Sequence, residues 1–237
     1  MLQSFVAIGP YVERCFEALN EHVRKVTGRT DLPWVVTEYN CGAQSKPVVF
    51  RFTLANALNI AEFIRVMMQP RHRVAGANLW NFANEMWGIV RGYPHKGEPL
   101  RRQPPFYVFK LYKEHFGDTL IEAKVSCGKW HFPGGSGISA TDVPDITVNT
   151  AKRKDGTVTL MLVNTNFDAE VEATIIVRGW QKGGSKAEAW SLVGTEPSAT
   201  NLKGEEVRVR KISIRKAANG WKIILPKHSL TAIEIRP

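Results

Sequence analysis

The first third of the chain alternates between helix-like and strand-like patterns of apolar residues. Apolar side chains recur at spacings of three and four over residues 12–26, which predicts an amphipathic helix that ends at Gly28. Residues 32–38 then form a short apolar run without polar alternation, as is typical of a parallel strand covered on both faces. We expect a polar turn to follow this strand at residues 40–45.

The same alternation continues through the rest of the first half. Residues 52–69 carry a second helical stripe that Pro70 closes, and residues 74–80 form a second buried-strand pattern. A proline pair at 104–105 introduces a third helix, for which Gly117 is the expected C-terminal cap. This order of elements is typical of a (β/α) barrel or of another α/β sheet.

Beyond about residue 119 the pattern changes to short β-rich runs separated by Gly, Asn, Asp and Pro. This spacing favours an antiparallel β-sandwich, and Asn219-Gly220 is a typical hairpin turn. The expected strands are 121–125, 145–150, 157–164, 170–177, 186–191, 207–214, 221–225 and 230–235. The predicted fold class is therefore α/β plus all-β. Residues 1–118 form the last two βα units of a partial (β/α) barrel, and residues 119–237 form an antiparallel β-sandwich.

The composition is that of a globular protein, with 43% hydrophobic and 23% charged residues among 237. The net charge of +10 could attract nucleic acid, but the basic residues are scattered and no RNP-like, helix-turn-helix or finger pattern accompanies them. No apolar run is long enough for a membrane span, and the first residues lack the features of a secretory signal. We expect a cytoplasmic chain, as written, with no nucleic-acid or membrane partner; an upstream segment would change the expected location.

The cysteines and histidines predict neither a metal site nor a cofactor. The three cysteines are widely spaced and lack a CxxC or Cys/His ligand pattern, so reduced thiols are expected. Among five of the six histidines, no spacing is suited to a metal site or to a Ser-His-Asp arrangement. They are His72, His95, His115, His131 and His228. The glycine-rich residues 134–137 are expected to form a surface loop.

Glu38 is the strongest candidate for chemistry. It closes the apolar run of the first predicted strand, and barrel enzymes assemble their active sites at the carboxyl ends of their strands. A glutamate in such a place is also commonly an ion-pair partner or a loop anchor. Tyr39 and Asn40 follow it directly and could donate hydrogen bonds that stabilise its anion. Both are expected to be substrate-binding residues. Alternatively, the side chain of Tyr39 packs at the rim of the barrel.

Two tryptophans are candidates for contacts with a ligand. Trp80 and Asn81 end the second predicted strand, and Trp87 lies in the loop that follows. Asn81 is expected to bind the substrate together with the two tryptophans. Indole faces stack on the apolar faces of ring-shaped ligands, sugar rings among them. The alternative is that each indole is buried between the two halves of the chain.

These elements, in this order, resemble the C-terminal half of clan A glycoside hydrolases. The resemblance rests on VVTEYN, FTLANALNIAEFIRVMMQ, VAGANLW, PPFYVFKLYKEHFGD and ILPKHSLTAIEI, and it covers nearly the whole chain. The chain is most similar to the alpha-L-arabinofuranosidases of family fifty-one and to related xylosidases. In that clan the glutamate that ends the seventh barrel strand is the nucleophile. The resemblance therefore implies Glu38 as nucleophile and an arabinose- or xylose-containing glycoside as substrate.

A retaining glycosidase also needs a protonated carboxyl about 5 Å from its nucleophile. In the clan an Asn-Glu pair at the end of the fourth strand marks this acid/base, whereas Asn84-Glu85 follows what resembles the eighth strand. The role is therefore not transferred to Glu85. We expect a chain that carries the nucleophile, lacks the acid/base and is inactive alone.

Two parallel strands cannot close a barrel, and their apolar edges need a partner. A longer enzyme of which this chain is a fragment, a separate upstream chain, or a homo-oligomer would each provide one. The leading hypothesis is a fragment or subunit of an arabinofuranosidase-like retaining glycosidase. The alternatives are a non-catalytic carbohydrate-binding or structural module that uses Trp80 and Trp87, and a remnant without a ligand.

Overall fold

The computed structural model describes residues 2–41, 48–180 and 184–237. The polar turn predicted at residues 40–45 therefore lies largely outside the described residues. Within these ranges the chain is a mixed helix and sheet structure with several antiparallel sheets. Its α-helices are α1 (Gln3–Val6), α2 (Ile8–Thr27), α3 (Leu54–Met67) and α4 (Pro104–His115). None of these helices combines the length and the apolar character of a membrane span.

The first half contains a two-stranded parallel sheet. Its strands are β1 (Trp34–Tyr39) and β2 (Val74–Leu79), and α3 connects them. Gly28 ends α2 in the left-handed conformation, at a φ of 71°, as predicted. The side chain of Thr53 starts α3 by accepting a hydrogen bond from the backbone N–H of Asn56 (3.2 Å). The prediction of two neighbouring parallel strands is thus confirmed.

The prediction that β1 and β2 are covered on both faces is wrong for the residues that the structure describes. On one face Trp34 and Val36 pack against the core formed with the helices. On the other face the side chain of Val35 is 64% exposed, and Ala75 and Ala77 of β2 are exposed as well. We call this surface the open face of the parallel sheet.

The remaining strands are short and mostly antiparallel. They are β3 (Val90–Arg91), β4 (Arg101–Arg102), β5 (Thr119–Leu120), β6 (Lys129–Phe132), β7 (Thr141–Pro144), β8 (Ile146–Lys152), β9 (Val158–Asn164), β10 (Val171–Ile175), β11 (Lys186–Val193), β12 (Arg208–Ile212), β13 (Ile214–Ala217), β14 (Gly220–Leu225) and β15 (Ser229–Arg236). The hairpins β3–β4 and β6–β7 were not predicted, and the glycine-rich loop at 134–137 is the connection of the second one.

Two of the antiparallel sheets form a sandwich. The six-stranded sheet has the order β12-β11-β15-β9-β8-β5, and the three-stranded sheet has the order β10-β14-β13. Strand β9 shows how the layers stack. Its residues Met161 and Val163 belong to the core shared with α3 and α4, whereas Leu160 and Leu162 belong to the core between the two sheets. The six-stranded sheet is therefore the middle of three layers, and all of β9 is buried.

A buried ion-pair network ties α3 to α2 and to β8. The fully buried carboxylate of Glu62 accepts hydrogen bonds from Arg65 (3.0 Å) and from the hydroxyl of Thr147. Arg65 also pairs with Glu13 of α2 (2.9 Å). Buried charges persist in a protein when they are paired in this way. The network leaves no room beside Gly9, where a Cβ atom would lie 2.1 Å from Glu62 Oε2.

Two predicted features of the second half are wrong. Residues 121–125 are not a strand, because only Thr119–Leu120 pairs with β8 and the chain then continues without regular structure. Gly117 is not a left-handed helix cap, since α4 ends at His115 and its C-cap residue Phe116 is extended. Gly117 is instead a place of close approach, where a Cβ atom would lie 2.8 Å from the carbonyl carbon of Lys152.

Two further predictions are confirmed with altered boundaries. The strand predicted at 207–214 is divided into β12 and β13 at Ser213. The hairpin predicted at Asn219-Gly220 joins β13 to β14, with Ala217 paired to Gly220. The turn therefore lies one residue earlier than the dipeptide pattern indicates.

Candidate functional site

The carboxyl ends of β1 and β2 meet at one edge of the parallel sheet. Tyr39 is paired with Leu79, and the backbone N–H of Trp80 donates to the carbonyl of Tyr39 (3.0 Å). Glu38 and Trp80 therefore belong to neighbouring strand ends, as parallel pairing requires.

An extra residue in β1 determines how Glu38 is presented. Between Val36 and Tyr39, β1 contains two residues opposite a single residue of β2. Thr37 and Glu38 are both exposed, whereas regular alternation would turn one of them towards the helices. Bulges of this kind redirect side chains and are frequent next to active sites. Among the described residues, Glu38 has no hydrogen-bond or ion-pair partner, so its carboxylate is accessible.

Tyr39 lies on the other side of the strand. Its side chain is buried, and its ring packs against Phe63 with 5.6 Å between the ring centroids. Burial raises the pKa of the Tyr39 hydroxyl above its usual value, because the phenolate would be desolvated. In this chain Tyr39 thus contributes to the core, and its contact with a substrate stays a prediction.

Asn40 connects the two strand ends to α3. Its amide Nδ2 donates to the carbonyl of Trp80 (2.5 Å), and its Oδ1 accepts from the backbone N–H of Cys41 (2.7 Å). The same Oδ1 accepts from Nδ2 of Asn56 (3.2 Å), which also donates to the carbonyl of Arg51 (2.8 Å). Asn40 therefore holds the strand ends in place through its own amide group.

Asn56 and Asn59 are site residues that the sequence analysis missed. Both are buried, and Asn59 donates from Nδ2 to Oδ1 of Asn56 (3.1 Å). Buried amides have to be hydrogen-bonded, so their partners become well defined. The signal for them was present, because Asn56, Asn59 and Glu62 recur every three residues on the apolar face of α3. Polar residues at such positions indicate a buried network.

The loop after β2 carries exposed apolar side chains. Trp80 is 49% exposed and Phe82 is 64% exposed, and Met86 is exposed too. The peptide bond between Trp80 and Asn81 is cis. Large apolar side chains that remain in water are suited to the apolar face of a ligand or to a second protein surface. Phe82 and Met86 were not singled out from the sequence.

Trp87 is in a different environment from Trp80. It is partly buried against a small cluster that includes Phe5 and Cys41. The guanidinium carbon of Arg51 lies 3.3 Å from the centroid of its ring, and Nη1 of Arg51 donates to the carbonyl of Met86 (3.3 Å). One face of the Trp87 indole is therefore covered by Arg51, and the predicted stacking of Trp87 on a sugar has to use the rest of its surface.

The loop between Asn81 and Trp87 is organised by Asn84. Its Oδ1 accepts hydrogen bonds from the backbone N–H groups of Met86 (2.9 Å), Trp87 (2.5 Å) and Gly88 (3.0 Å). The side chain of Glu85 is exposed. The Oδ1 of Asn81 is buried and accepts no hydrogen bond from the residues in the described ranges. Asn84 thus has a structural role, and the accessible carboxylate of Glu85 lies next to it.

Comparison with known proteins identifies the family. Residues 37–229 match the sequence profile of the alpha-L-arabinofuranosidase C-terminal domain. The chain belongs to this family. All the candidate residues from Glu38 to Trp87 lie within the matched segment.

Curated relatives of this chain are named as alpha-L-arabinofuranosidases. The intracellular exo-alpha-L-arabinofuranosidase of Bacteroides ovatus is 25% identical over 195 residues, which cover 78% of this chain and 34% of the relative. Alpha-L-arabinofuranosidase C of Emericella nidulans is 22% identical over 193 residues, which cover 80% of this chain and 36% of the relative. The chain thus spans about a third of the length of these relatives.

Solved structures show the same fold. The alpha-L-arabinofuranosidase from Thermotoga maritima, solved as an arabinose complex, superposes on all of this chain with a TM-score of 0.82 and 16% identity. The match covers 50% of that structure. The chain therefore has the architecture of about half of that protein.

No metal centre is formed in the part of the chain that the structure describes. No group of three or more His, Cys, Asp or Glu side chains converges there in a way that could hold an ion. The rim is the edge of the parallel sheet formed by the carboxyl ends of β1 and β2. The groups available there for chemistry are a carboxylate, several amides and aromatic faces.

Proposed function

We propose that this chain contributes the nucleophile, Glu38, to an alpha-L-arabinofuranosidase-like retaining glycoside hydrolase. The position of Glu38 carries the proposal. The residue is exposed at the carboxyl end of β1, beside the open face of a parallel sheet and near the exposed ring of Trp80. Membership of the family supports an arabinose-containing glycoside as substrate.

The open face supports a second part of the proposal, in which residues 1–118 complete a (β/α) barrel. Val35 and the small residues Ala75 and Ala77 leave an apolar surface that further parallel strands can cover. Both outer edges of this two-stranded sheet lack a strand partner within the described residues. An upstream part of the same enzyme, a separate chain or a further copy would provide the missing strands.

The chemistry then has two steps. The Glu38 carboxylate attacks the anomeric carbon, the bond to the leaving oxygen breaks, and the acid/base from the missing part gives that oxygen its proton. The same acid/base next takes a proton from water, which attacks the anomeric carbon and releases Glu38. Each step inverts the anomeric centre, so the product retains the configuration of the substrate.

The exposure of Trp80 and Phe82 also favours a second function, carbohydrate binding without hydrolysis. In that case the rim would hold sugars through its aromatic faces, and Glu38 would contribute only hydrogen bonds. Binding that survives the loss of the Glu38 charge, in an assembly without activity, distinguishes this function.

The decisive experiment measures hydrolysis of an aryl alpha-L-arabinofuranoside by the chain alone and by the chain combined with the part that provides the other barrel strands. The chain alone should be inactive, because it lacks the acid/base. In the complete assembly Glu38→Gln should lower kcat by about 10⁴-fold or more, since the covalent step is lost. Glu85→Gln is the matched control, because Glu85 is also an exposed glutamate at this rim, and it should leave kcat within about threefold.

A chemical rescue separates the nucleophile from other roles. Azide added to Glu38→Ala should restore turnover and yield a glycosyl azide of inverted configuration, because the small anion attacks from the vacant side of the sugar. Full activity of Glu38→Gln in the complete assembly would refute the proposal.

A further inference from the structure

The short antiparallel hairpin formed by β3 and β4 is attached to the rim beside Trp80. The backbone N–H of Ile89 donates to the carbonyl of Asn81 (3.2 Å), and that of Val90 donates to the carbonyl of Phe82 (2.9 Å). Both bonds join the first arm of the hairpin to the loop that follows β2. Because Trp80 directly precedes this loop, its exposed indole and the hairpin are neighbours at the rim.

Two arginines lie directly opposite each other in this hairpin. Arg91 of β3 is paired with Arg101 of β4. Residues paired in this way project from the same face, and their Cβ atoms are about 5 Å apart. Like charges at such a distance destabilise the pairing of the strands. An anion that binds both side chains would remove this repulsion.

No side-chain carboxylate of this chain forms an ion pair with the two arginines. Among the residues that the structure describes, neither Arg91 nor Arg101 has an acidic partner within ion-pair distance. The rest of the chain, residues 1, 42–47 and 181–183, contains no Asp or Glu. The charge of the arginine pair is therefore available to an anion from outside this chain.

Arg91 is held in place but has unused hydrogen-bond donors. Its guanidinium carbon lies 4.5 Å from the ring centroid of Phe52 and 5.9 Å from that of Tyr93. Its Nη2 donates to the hydroxyl of Tyr93 (3.4 Å), and its buried Nε donates to no acceptor within the described ranges. Two aromatic rings thus orient a guanidinium whose other N–H groups lack acceptors there. Such a group is prepared for a planar anion.

The whole hairpin has an excess of positive charge. From β3 through β4 the sequence contains four cations and a single acidic residue. The cations are Arg91, Lys96, Arg101 and Arg102, and the acidic residue is Glu98. Lys96 and Arg102 are exposed. An excess of this kind attracts anions from solution, most strongly at low ionic strength.

We propose that Arg91 and Arg101 together bind a carboxylate, and that the ligand is a saccharide that contains uronic acid residues. A carboxylate is the anion of such sugars, and its two oxygens match two N–H groups of a guanidinium. Trp80, which is 49% exposed, lies at the same rim and can hold a neighbouring sugar ring through its apolar face. The link to hydrolysis rests on the proposed function, in which the uronate belongs to the substrate. The binding itself does not.

Isothermal titration calorimetry of the full chain tests the proposal. The probe is hexagalacturonate, and its fully methyl-esterified form is the control, because it has the same sugar rings without the charges. At low ionic strength the acid should bind at least about tenfold more tightly than the ester, since only the acid forms charge-assisted hydrogen bonds. Added salt should weaken the binding of the acid and leave that of the ester unchanged.

A pair of variants locates the binding site. Arg101→Gln removes one charge of the pair and should weaken binding of the acid about tenfold or more. Arg215→Gln is the matched control, because Arg215 is an exposed arginine on β13, in the three-stranded sheet of the sandwich. It should leave the affinity within about twofold. The urea midpoint of Arg101→Gln should equal or exceed that of the parent chain, because the variant loses a like-charge contact.

Four outcomes would overturn the inference. Equal affinity for the acid and its ester, or no binding of either, would exclude a carboxylate site. An equal loss of affinity in Arg101→Gln and Arg215→Gln would show attraction by the overall charge alone. Tighter binding of inorganic tripolyphosphate would assign the arginines to phosphate groups. Loss of binding when the other barrel strands are supplied would assign them to carboxylates of that part. None of these outcomes affects Glu38, which is tested by hydrolysis.

Discussion

Strands β1 and β9 have similar apolar sequences but very different surroundings. All seven residues of β9 are buried, because helices cover one face of its sheet and the three-stranded sheet covers the other. In β1 only the face towards the helices is covered, and Val35 on the open face remains 64% exposed. The sandwich thus covers most of its apolar surface within the chain, whereas one apolar face of the parallel sheet remains exposed.

The candidate functional residues lie at the incompletely covered sheet and not at the fully covered one. The candidate nucleophile Glu38 and the exposed Trp80 lie at the edge of the incompletely covered sheet. The fully covered β9 carries no candidate for chemistry. A carboxylate that has to meet a substrate must remain accessible, and this requires a surface that the chain itself does not fill.

The largest effect on the free energy of unfolding is expected where the region of the parallel sheet is joined to the sandwich. Glu62→Gln removes the charge that the buried Arg65 needs and should lower the free energy of unfolding by about 3–5 kcal/mol. Urea unfolding measures this change. Glu21→Gln is the control, because Glu21 forms an exposed pair with Arg24, and it should be indistinguishable from the parent chain. Two separate unfolding transitions, with only one shifted, would show that the regions fold independently.

The next effect compares the two regions directly. Leu230→Ala, in the core between the six-stranded sheet and the helices, should cost about 2–5 kcal/mol in urea unfolding. Val35→Ala, on the open face, should cost less than about 1 kcal/mol, because little of its side chain is removed from water. An equal cost for the two variants would mean that the open face is covered in solution.

The smallest expected effect is the dependence of the free energy of unfolding on pH. Burial lowers the pKa of His228, in the sandwich, below the usual value of 6.5. It also lowers the pKa of His72, which lies just before β2 of the parallel sheet. The unfolded chain then takes up protons that the folded chain resists, so stability is fully present above pH 6.5 and decreases as the pH falls below it. His228→Asn should reduce this dependence, since asparagine tolerates the positive φ of 40° at this position. Urea midpoints at pH 7 and pH 5.5 measure it.

The candidate site was only partly predictable. Glu38 and Trp80 were found because each follows an apolar run that ends at a predictable place, and parallel strands end side by side. The bulge that exposes Glu38 could not be found in this way, because it depends on the register with β2. Arg51 was missed for the same reason, since its contact with Trp87 joins segments that are distant in sequence.

The sequence by itself determined where most helices and strands lie and how several of them end. Spacing, Gly28 and the proline pair at 104–105 act within a few residues, so their effects can be read locally. Only the tertiary structure decided which faces are covered, why Gly117 is a glycine, and that residues 121–125 form no strand within the described ranges. Burial and strand pairing depend on groups brought from elsewhere in the chain or from outside it, and no local pattern contains that information.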